Sequence, residues 1–289
     1  MGKGVDVPAR AILVDKPAGP TSHDVVAAVR RALGGARTGH TGTLDPFATG
    51  LLVVLVGRAT RIAPFVSGLH KTYLAGIRLG ARSASGDPEG PISPGGAPPE
   101  EAALRAALDG LVGESEQRVP ALSAVKVEGE RLYARTRRGE QVERPTRTVV
   151  VERADLVSYD VVTGHAIVDI RCGSGTYVRQ LAADLGDHLG CGGYCHDLRR
   201  TEVGTMSVEA AIPPDEVSPG CGIDPAEALG HIARVDLDQH EAGEVRHGRP
   251  IPGAPDGAVG PVALISAGAL LAVAEASDGV LQPRVVLAG

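Results

Sequence analysis

The chain has 289 residues, of which 43% are hydrophobic and only 2% aromatic, and its formal net charge is −6. This length suffices for one large core, or for a domain of ordinary size with a small second one. The acidic balance excludes a protein that binds polyanions over its whole surface, and five Tyr, two Phe and no Trp leave few rings on which a base could stack.

The first elements are strands with one helix between them. Residues 12–14 predict a strand, and Thr21 with Asp24 has capping-box spacing at the start of a short amphipathic helix that stops at Gly34. After a Gly-rich loop, the apolar run 51–56 predicts a buried strand.

The next segment contains a strand, a loop and a helix. Residues 73–79 alternate in the manner of a strand that begins at a tyrosine, residues 82–99 predict a Gly-, Pro- and Ser-rich loop, and residues 100–108 predict a helix. Positive charge is then concentrated, because residues 118–153 hold nine Lys or Arg against five Asp or Glu. The first 80 residues show the same excess, ten against four.

The stretch 118–148 has many arginines and little apolar periodicity. We expect an excursion from the core that contacts an anionic partner, although a solvent-exposed loop without a ligand would give the same pattern. Residues 166–170 predict a strand and residues 177–189 a helix. Prolines interrupt the pattern between 213 and 229, which indicates a domain boundary.

The last sixty residues predict a compact barrel. A capped helix over 238–247 precedes short strands around 262–265, 270–274 and 285–287. The uncharged run 262–274 is too short to span a bilayer and the run 11–14 too short for a signal peptide, so we expect a cytoplasmic protein with no membrane role.

Several motifs could carry chemistry but lack the required spacing. The two Gly-rich loops match neither a P-loop nor a dinucleotide fingerprint, and no Gly-x-Ser-x-Gly supports a hydrolase triad. His188, Cys191, Cys195 and His196 match no standard zinc site, so no metal is expected. Asp45 alone, before a proline in a glycine-bounded loop, is typical of a turn residue.

The order of motifs along the chain changes that interpretation, because it closely resembles the TruB family, bacterial synthases that form pseudouridine in the T-loop of tRNA. The likeness covers nearly the whole chain. The segments that carry it are residues 39–46 (GHTGTLDP), 48–52 (ATGLL), 71–73 (KTY), 123–126 (SAVK), 175–179 (GTYVR) and 198–200 (LRR).

The resemblance implies a role for each residue that matches a family motif. Asp45 is then the catalytic residue, His40 helps to displace the target base, Tyr73 packs on the flipped uracil, and Arg179 pairs with the catalytic carboxylate. Lys16, Lys126, Tyr177 and Leu198 also lie at positions that resemble site-lining residues of the family. In the basic stretch, Arg135, Arg137 and Arg138 are candidate RNA-binding residues.

The resemblance also implies an architecture: an α+β fold with a mixed or antiparallel sheet core, flanking helices and an RNA-gripping insertion near 118–148. A catalytic domain would cover 1–228 and a PUA-type RNA-binding β-barrel 229–289. The implied partner is the T-arm of tRNA, with isomerisation of uridine 55, no cofactor and no obligate protein partner.

The chemistry suits these residue types. A carboxylate can add to the uracil ring, add to the sugar or act as a base, and a neighbouring arginine would lower its pKa. The chain departs from the family at residues 83–87, where Ala84 replaces an acid while Asp87 remains, so less secure geometry is expected there.

Two alternatives of other classes remain open at this point. The chain could be a tRNA-binding folding factor whose catalysis is dispensable, or a carboxylate-dependent hydrolase without an RNA role.

Overall fold

The computed structural model describes residues 7–120, 126–127, 130–131, 138, 143–255 and 257–287. The strands are β1 (Arg10–Lys16), β2 (Thr38–His40), β3 (Thr49–Val56), β4 (Lys71–Leu79), β5 (Ala81–Ser83), β6 (Ile92–Pro94), β7 (Gly113–Arg118), β8 (Lys126–Val127), β9 (Glu130–Arg131), β10 (Thr146–Asp160), β11 (His165–Cys172), β12 (Gly193–Val203), β13 (Met206–Ser207), β14 (Ala233–Asp236), β15 (Ile251–Pro252), β16 (Gly260–Ser266), β17 (Ala269–Ser277) and β18 (Val280–Val286). The α-helices are α1 (Ser22–Ala32), α2 (Ala63–Ser67), α3 (Glu101–Asp109), α4 (Val178–His188), α5 (Pro225–Ala228) and α6 (Gln239–Arg246), and 3₁₀ helices cover Gly57–Ile62 and Val208–Ala210.

The chain forms two compact units, which are described separately. Unit 1 consists of Met1–Pro46, Gly50–Leu69 and Glu202–Gly289, and unit 2 of Phe47–Thr49 and His70–Thr201. Residues 229–289, predicted as a domain of their own, fall within unit 1, and the predicted boundary at 228 stays a prediction.

The centre of the N-terminal part of unit 1 is an antiparallel pair of strands, β1 and β3, with Arg10 opposite Val56 and Lys16 opposite Gly50. Both faces of this pair are buried. Leu51, Val53 and Leu55 lie in one apolar cluster, while the alternate residues of β3 lie in a second cluster with the apolar face of α1. Burial on both faces explains why residues 51–56 form an unbroken apolar run.

Helix α1 begins as the sequence predicts. Thr21 is its N-cap, the Thr21 hydroxyl accepts from the backbone N–H of Asp24, and the Asp24 carboxylate accepts from the backbone N–H of Thr21. These reciprocal bonds satisfy amides that a helix N-terminus otherwise leaves without partners. Gly34 then takes a positive φ of 64°, which ends the helix.

The C-terminal part of unit 1 contains a sheet in the order β14-β16-β17-β18-β15. β14 runs parallel to β16, and the other pairs are antiparallel. Helix α6 places Ala242 and Val245 in the apolar cluster of this sheet, and Asp238 with Glu241 forms its capping box. The predicted helix and the three predicted strands of this region are confirmed.

Unit 2 is built on neighbouring strands in the order β12-β4-β11-β10-β7. β4, β11, β10 and β7 pair antiparallel. Every second residue of β11 is buried, and helices α3 and α4 contact β10 and β4. The predicted helices at 100–108 and 177–189 and the strands at 73–79 and 166–170 are therefore confirmed within one or two residues of their ends.

Three features of unit 2 differ from the sequence prediction. The predicted loop 82–99 contains most of a hairpin, β5 with β6, in which Ser83 lies opposite Ile92. β7 was not predicted, because its residues GESEQR are nearly all polar and exposed. β10 begins at Thr146, inside the stretch that was expected to leave the core, and β12 has no simple alternation of apolar residues.

Candidate active site

Asp45 lies on the loop between β2 and β3, and the residue before it is held by α1. The backbone N–H of Leu44 donates to Ser22 Oγ (2.8 Å), and Ser22 Oγ donates to the Leu44 carbonyl (3.0 Å). Ser22 and Leu44 are both buried, so water does not compete for these bonds. A single hydroxyl thereby fixes both polar groups of Leu44.

The residue after Asp45 is held by the end of β1. Lys16 Nζ donates to the carbonyls of Pro46 (3.2 Å) and Pro17 (2.9 Å), and the backbone N–H of Gly19 also donates to Pro46 O (2.8 Å). Lys16 is completely buried. The backbone is thus fixed on both sides of Asp45, whose own side chain is half-buried.

His40 lies at the end of β2, opposite Val54 of β3, and is half-buried. The loop that carries Asp45 therefore begins directly after a strand that is paired with β3. Unit 1 brings three of the predicted site residues, Lys16, His40 and Asp45, into one short region of structure.

In unit 2, Arg179 forms a buried ion pair with Asp87. Arg179 Nη1 lies 2.7 Å from Asp87 Oδ2 and donates also to the Ser85 carbonyl (3.1 Å), and the two side chains are 3% and 5% exposed. A buried pair of this kind needs further hydrogen bonds to offset the loss of water. Ser85 Oγ (2.5 Å) and the backbone N–H of Glu89 (3.1 Å) donate them to Asp87 Oδ1.

The loop that contains Ala84 is ordered by residues other than an acid at that position. Ser83 Oγ donates to the Asp87 carbonyl (2.5 Å), and the backbone N–H of Ala84 donates to Pro91 O (3.0 Å). Gly86 has φ of 79°, a conformation that favours glycine, and its missing Cβ would lie 3.4 Å from Arg179 O. The local geometry of residues 83–87 is thus secured by Ser83, Ser85 and Asp87, and the effect of Ala84 on the geometry beside Asp45 stays a prediction.

Tyr177 is the N-cap residue of α4 and is held by a residue that the sequence did not single out. Gln117 of β7 accepts from the backbone N–H of Tyr177 (2.8 Å) and donates to its carbonyl (3.1 Å). The Arg147 guanidinium lies 5.5 Å from the centre of the Tyr177 ring and donates to Gly175 O. The buried Gln117 stands in an otherwise exposed polar strand, and no sequence signal marks it.

Tyr73 and Leu198 are both buried in the sheet of unit 2. Tyr73 of β4 lies opposite Ile170 of β11, and Leu198 lies in β12. Lys71 lies two residues before Tyr73 and is also buried. Burial, together with the positive charge of Arg200, lowers the pKa of Lys71 to about 8.

Two of the basic residues predicted to bind RNA, Arg135 and Arg137, lie outside the described residues. The backbone of Lys126 lies in β8, which pairs with β9. Arg138 is exposed and forms a two-pronged ion pair with Glu130 (2.6 and 2.9 Å). The pairing of Arg179 with Asp45, and the RNA contacts of all these residues, stay predictions.

The fold is similar to that of two solved structures. A chain in the crystal structure of a Cbf5-Nop10-Gar1 complex matches with a TM-score of 0.75 at 24% identity, covering 96% of this chain and 85% of that one. A chain in the structure of an H/ACA RNP bound to a substrate RNA containing 2′-deoxyuridine gives 0.75 at 22%, covering 97% and 85%. The expected α+β fold is confirmed.

Family models match successive parts of the sequence. They are the TruB family pseudouridylate synthase (N terminal domain) over residues 30–178, the tRNA pseudouridylate synthase B C-terminal domain over 179–219, and pseudouridine synthase II TruB, C-terminal, over 233–287. The chain is 45% identical to tRNA pseudouridine synthase B of Thermobifida fusca, covering 96% of this chain and 98% of the relative. It is 40% identical to the protein of that name from Parasynechococcus marenigrum, covering 98% of both. The chain belongs to the TruB family of pseudouridylate synthases.

Proposed function

We propose that this enzyme isomerises the uridine at position 55, in the T-loop of tRNA, with Asp45 as the reacting group. Family membership makes the chain a pseudouridine synthase, and its relatives are named as synthases that act on tRNA. The position of the modified uridine and the catalytic role of Asp45 are what we propose in addition to family membership.

The observation that carries the proposal is the fixation of the Asp45 backbone from both sides. Ser22 holds Leu44 and Lys16 holds Pro46, and both holding side chains are buried. A reacting group must be kept within a fraction of an ångström of its productive position, and rigid support from packed elements achieves this. An ordinary turn aspartate requires no such support.

Arg179 is the proposed partner of the Asp45 carboxylate. Its contacts with Asp87 and Ser85 fix the position of a planar guanidinium, the group that suits a carboxylate partner best. A cation held in place by Asp87 would keep the Asp45 carboxylate ionised and oriented.

The reaction breaks the bond between uracil N1 and C1′ of the ribose and forms a bond between C5 and C1′. The proton of C5 leaves to solvent and N1 gains one, so no other atom is lost and no redox step occurs. Asp45 would carry the step by adding to the base, adding to the sugar, or removing a sugar proton. The ring of Tyr73 would offer a stacking surface to the extruded base.

The test is tritium release from a tRNA transcript labelled at C5 of its uridines. Asp45→Asn keeps the size of the side chain but removes the carboxylate, and we expect release to fall by at least about 10³-fold while tRNA affinity is retained. The matched control, Asp215→Asn, changes an exposed aspartate outside the loop and should release label at the wild-type rate.

Two results would overturn the proposal. Release by Asp45→Asn at the wild-type rate would remove Asp45 from the chemistry. Undiminished release from a transcript in which uridine 55 is replaced by cytidine would place the reaction elsewhere in the tRNA.

A further inference from the structure

A group of metal-ligating side chains lies in unit 2, on strands that the proposed reaction does not use. His165 begins β11, and His196 and Asp197 are neighbours in β12. One ligand atom from each lies within 4.8 Å of the other two. The imidazole rings of His165 and His196 meet edge to face, with centroids 5.9 Å apart.

One ring nitrogen of this group is buried without a hydrogen-bond partner among the described residues: Nε2 of His165. A buried polar atom in this state needs a partner, and a bound ion would supply one. The space beside it exists because residue 76 of β4 is glycine. A Cβ at Gly76 would lie 3.3 Å from His165 Nε2 and 3.2 Å from Asp197 Oδ2.

The second histidine is oriented by the carboxylate. His196 Nδ1 lies 2.5 Å from Asp197 Oδ2, so the ring and the carboxylate lie side by side. A metal ion bound by both side chains would replace this hydrogen bond.

His165 and His196 line a cavity of about 550 Å³, together with Arg78, Thr163 and Tyr194. An ion bound by the two imidazoles would lie beside this cavity. Arg78 opposes a cation by its charge, but it also lies near Asp160, whose pKa is lowered chiefly by the hydrogen bond from the Thr163 hydroxyl and to a smaller extent by the charge of Arg78. Asp160 is the register partner of His165 on β10, so an acid balances the arginine.

We propose that His165, His196 and Asp197 form a binding site for a divalent transition-metal ion of the zinc type. Two imidazoles and one carboxylate suit zinc, cobalt or nickel, whereas calcium and magnesium prefer oxygen ligands alone. Bond lengths of about 2.0–2.2 Å place ligand atoms roughly 3.5 Å apart, so binding requires the side chains to adjust, and His196 and Asp197 are exposed.

The sequence does not predict this site, because the cysteines and the histidine near His196 in the chain lack the spacing of a zinc site. They are His188, Cys191 and Cys195, and no metal was expected. The partner that completes the group, His165, comes from another strand.

The test is calorimetric titration of the full chain, freed of metal by chelation, with zinc chloride alone. Wild type should bind one equivalent, and His165→Ala and His196→Ala should each weaken binding at least about tenfold. Gly76→Ala keeps every ligand but fills the space between them, and it should also weaken binding. His240→Ala, which removes an exposed histidine of α6, is the matched control and should bind as wild type does.

A second measurement keeps the proposal testable if a variant does not fold. Cobalt(II) bound to wild type should show absorption bands of nitrogen and oxygen ligation. A thiolate charge-transfer band would assign the ion to a cysteine and overturn the proposal. No saturable zinc binding at about 100 μM, or binding that His165→Ala and His196→Ala leave unchanged, would overturn it as well.

Discussion

Lys71 shows how a single buried cation makes stability depend on pH. Its side chain is buried on β4, Arg200 is buried nearby in β12, and the two positive charges oppose each other. The pKa of Lys71 falls from its usual 10.5 to about 8 in the folded protein. Below pH 8 the lysine is protonated in both the folded and the unfolded state, so the folded protein bears the full cost of burying the charge.

The lowered pKa of Lys71 predicts how the free energy of unfolding changes with pH. Between pH 8 and 10.5 the unfolded chain binds more protons than the folded one, so the contribution of Lys71 to stability rises with pH. At about 1.4 kcal/mol per pKa unit, wild type should gain on the order of 3 kcal/mol relative to Lys71→Met between pH 7 and pH 10.5. Urea unfolding at both pH values measures the difference.

Lys71→Arg is the control, because arginine keeps the charge and does not titrate in this range. Its stability relative to Lys71→Met should not change with pH. An equal pH dependence for wild type and Lys71→Met would show that the lysine titrates at its ordinary pKa in the folded protein.

The partners of individual residues are the part of the site that sequence could not supply. Asp87 was noted only as a second acid in a divergent loop, whereas the structure makes it the buried anchor of Arg179, which lies 92 positions away. Gln117 contacts the backbone of Tyr177 across 60 positions. Such contacts depend on which strands become neighbours, and local patterns carry no information about that.

At the scale of elements, the Asp45 loop takes its shape from the start of α1 and the end of β1. Ser22 is the first residue of α1 and Lys16 the last of β1. Both reach the backbone of the loop, at Leu44 and at Pro46. The position of the reacting group is thus tied to elements with large apolar faces.

Removal of the Ser22 hydroxyl should uncouple the loop from α1. Ser22→Ala leaves the N–H and the carbonyl of Leu44 buried without this partner, which should destabilise the protein by about 1–3 kcal/mol. It should also lower kcat more than it raises KM, since the base still binds but Asp45 loses its orientation. Steady-state tritium release on tRNA gives both constants.

Thr21→Ala is the matched control, because it removes the cap of the same helix without touching the loop. It should cost about 1 kcal/mol of stability and leave kcat unchanged. If Ser22→Ala behaves in the same way, the hydroxyl has a structural role in the helix and none in positioning Asp45.

Elements with strong local signals were predicted well and the others were missed. The capping boxes at Thr21 and Asp238 located two helix starts, because the bonds concerned lie within four residues of each other. The apolar run of β3 followed from burial on both faces. β7 and the β5–β6 hairpin are held by backbone pairing rather than by apolar alternation, so their residues gave no period to detect.

At the scale of the whole molecule, the charge is uneven. The chain carries a net charge of −6, yet residues 1–80 and 118–153 hold an excess of basic side chains. Affinity for an RNA backbone should therefore come from few arginines, with repulsion from the remaining surface. Arg135, Arg137 and Arg138 lie close together in the sequence of the second stretch.

Their contribution should appear as salt dependence. Replacement of all three by glutamine should weaken tRNA binding and reduce the slope of log K against log salt by up to about three, near one for each phosphate that an arginine no longer neutralises. Fluorescence anisotropy with labelled tRNA between about 50 and 200 mM salt measures it.

A charge removed elsewhere is the comparison. Arg105, which is exposed in α3 and lies outside both basic stretches, serves for this comparison one charge at a time: Arg105→Gln should change the slope less than any single replacement among Arg135, Arg137 and Arg138. A slope that is the same for wild type and the first triple variant would exclude those arginines from the RNA interface.

The bonds that hold the Asp45 loop grip main-chain atoms on either side and do not depend on the side chain between them. The Asp45→Asn variant should thus keep the backbone conformation of the loop while lacking catalytic activity. This variant should bind its RNA substrate without converting it. The complex could then be isolated intact, and the RNA bound in it would identify the natural substrate of the enzyme.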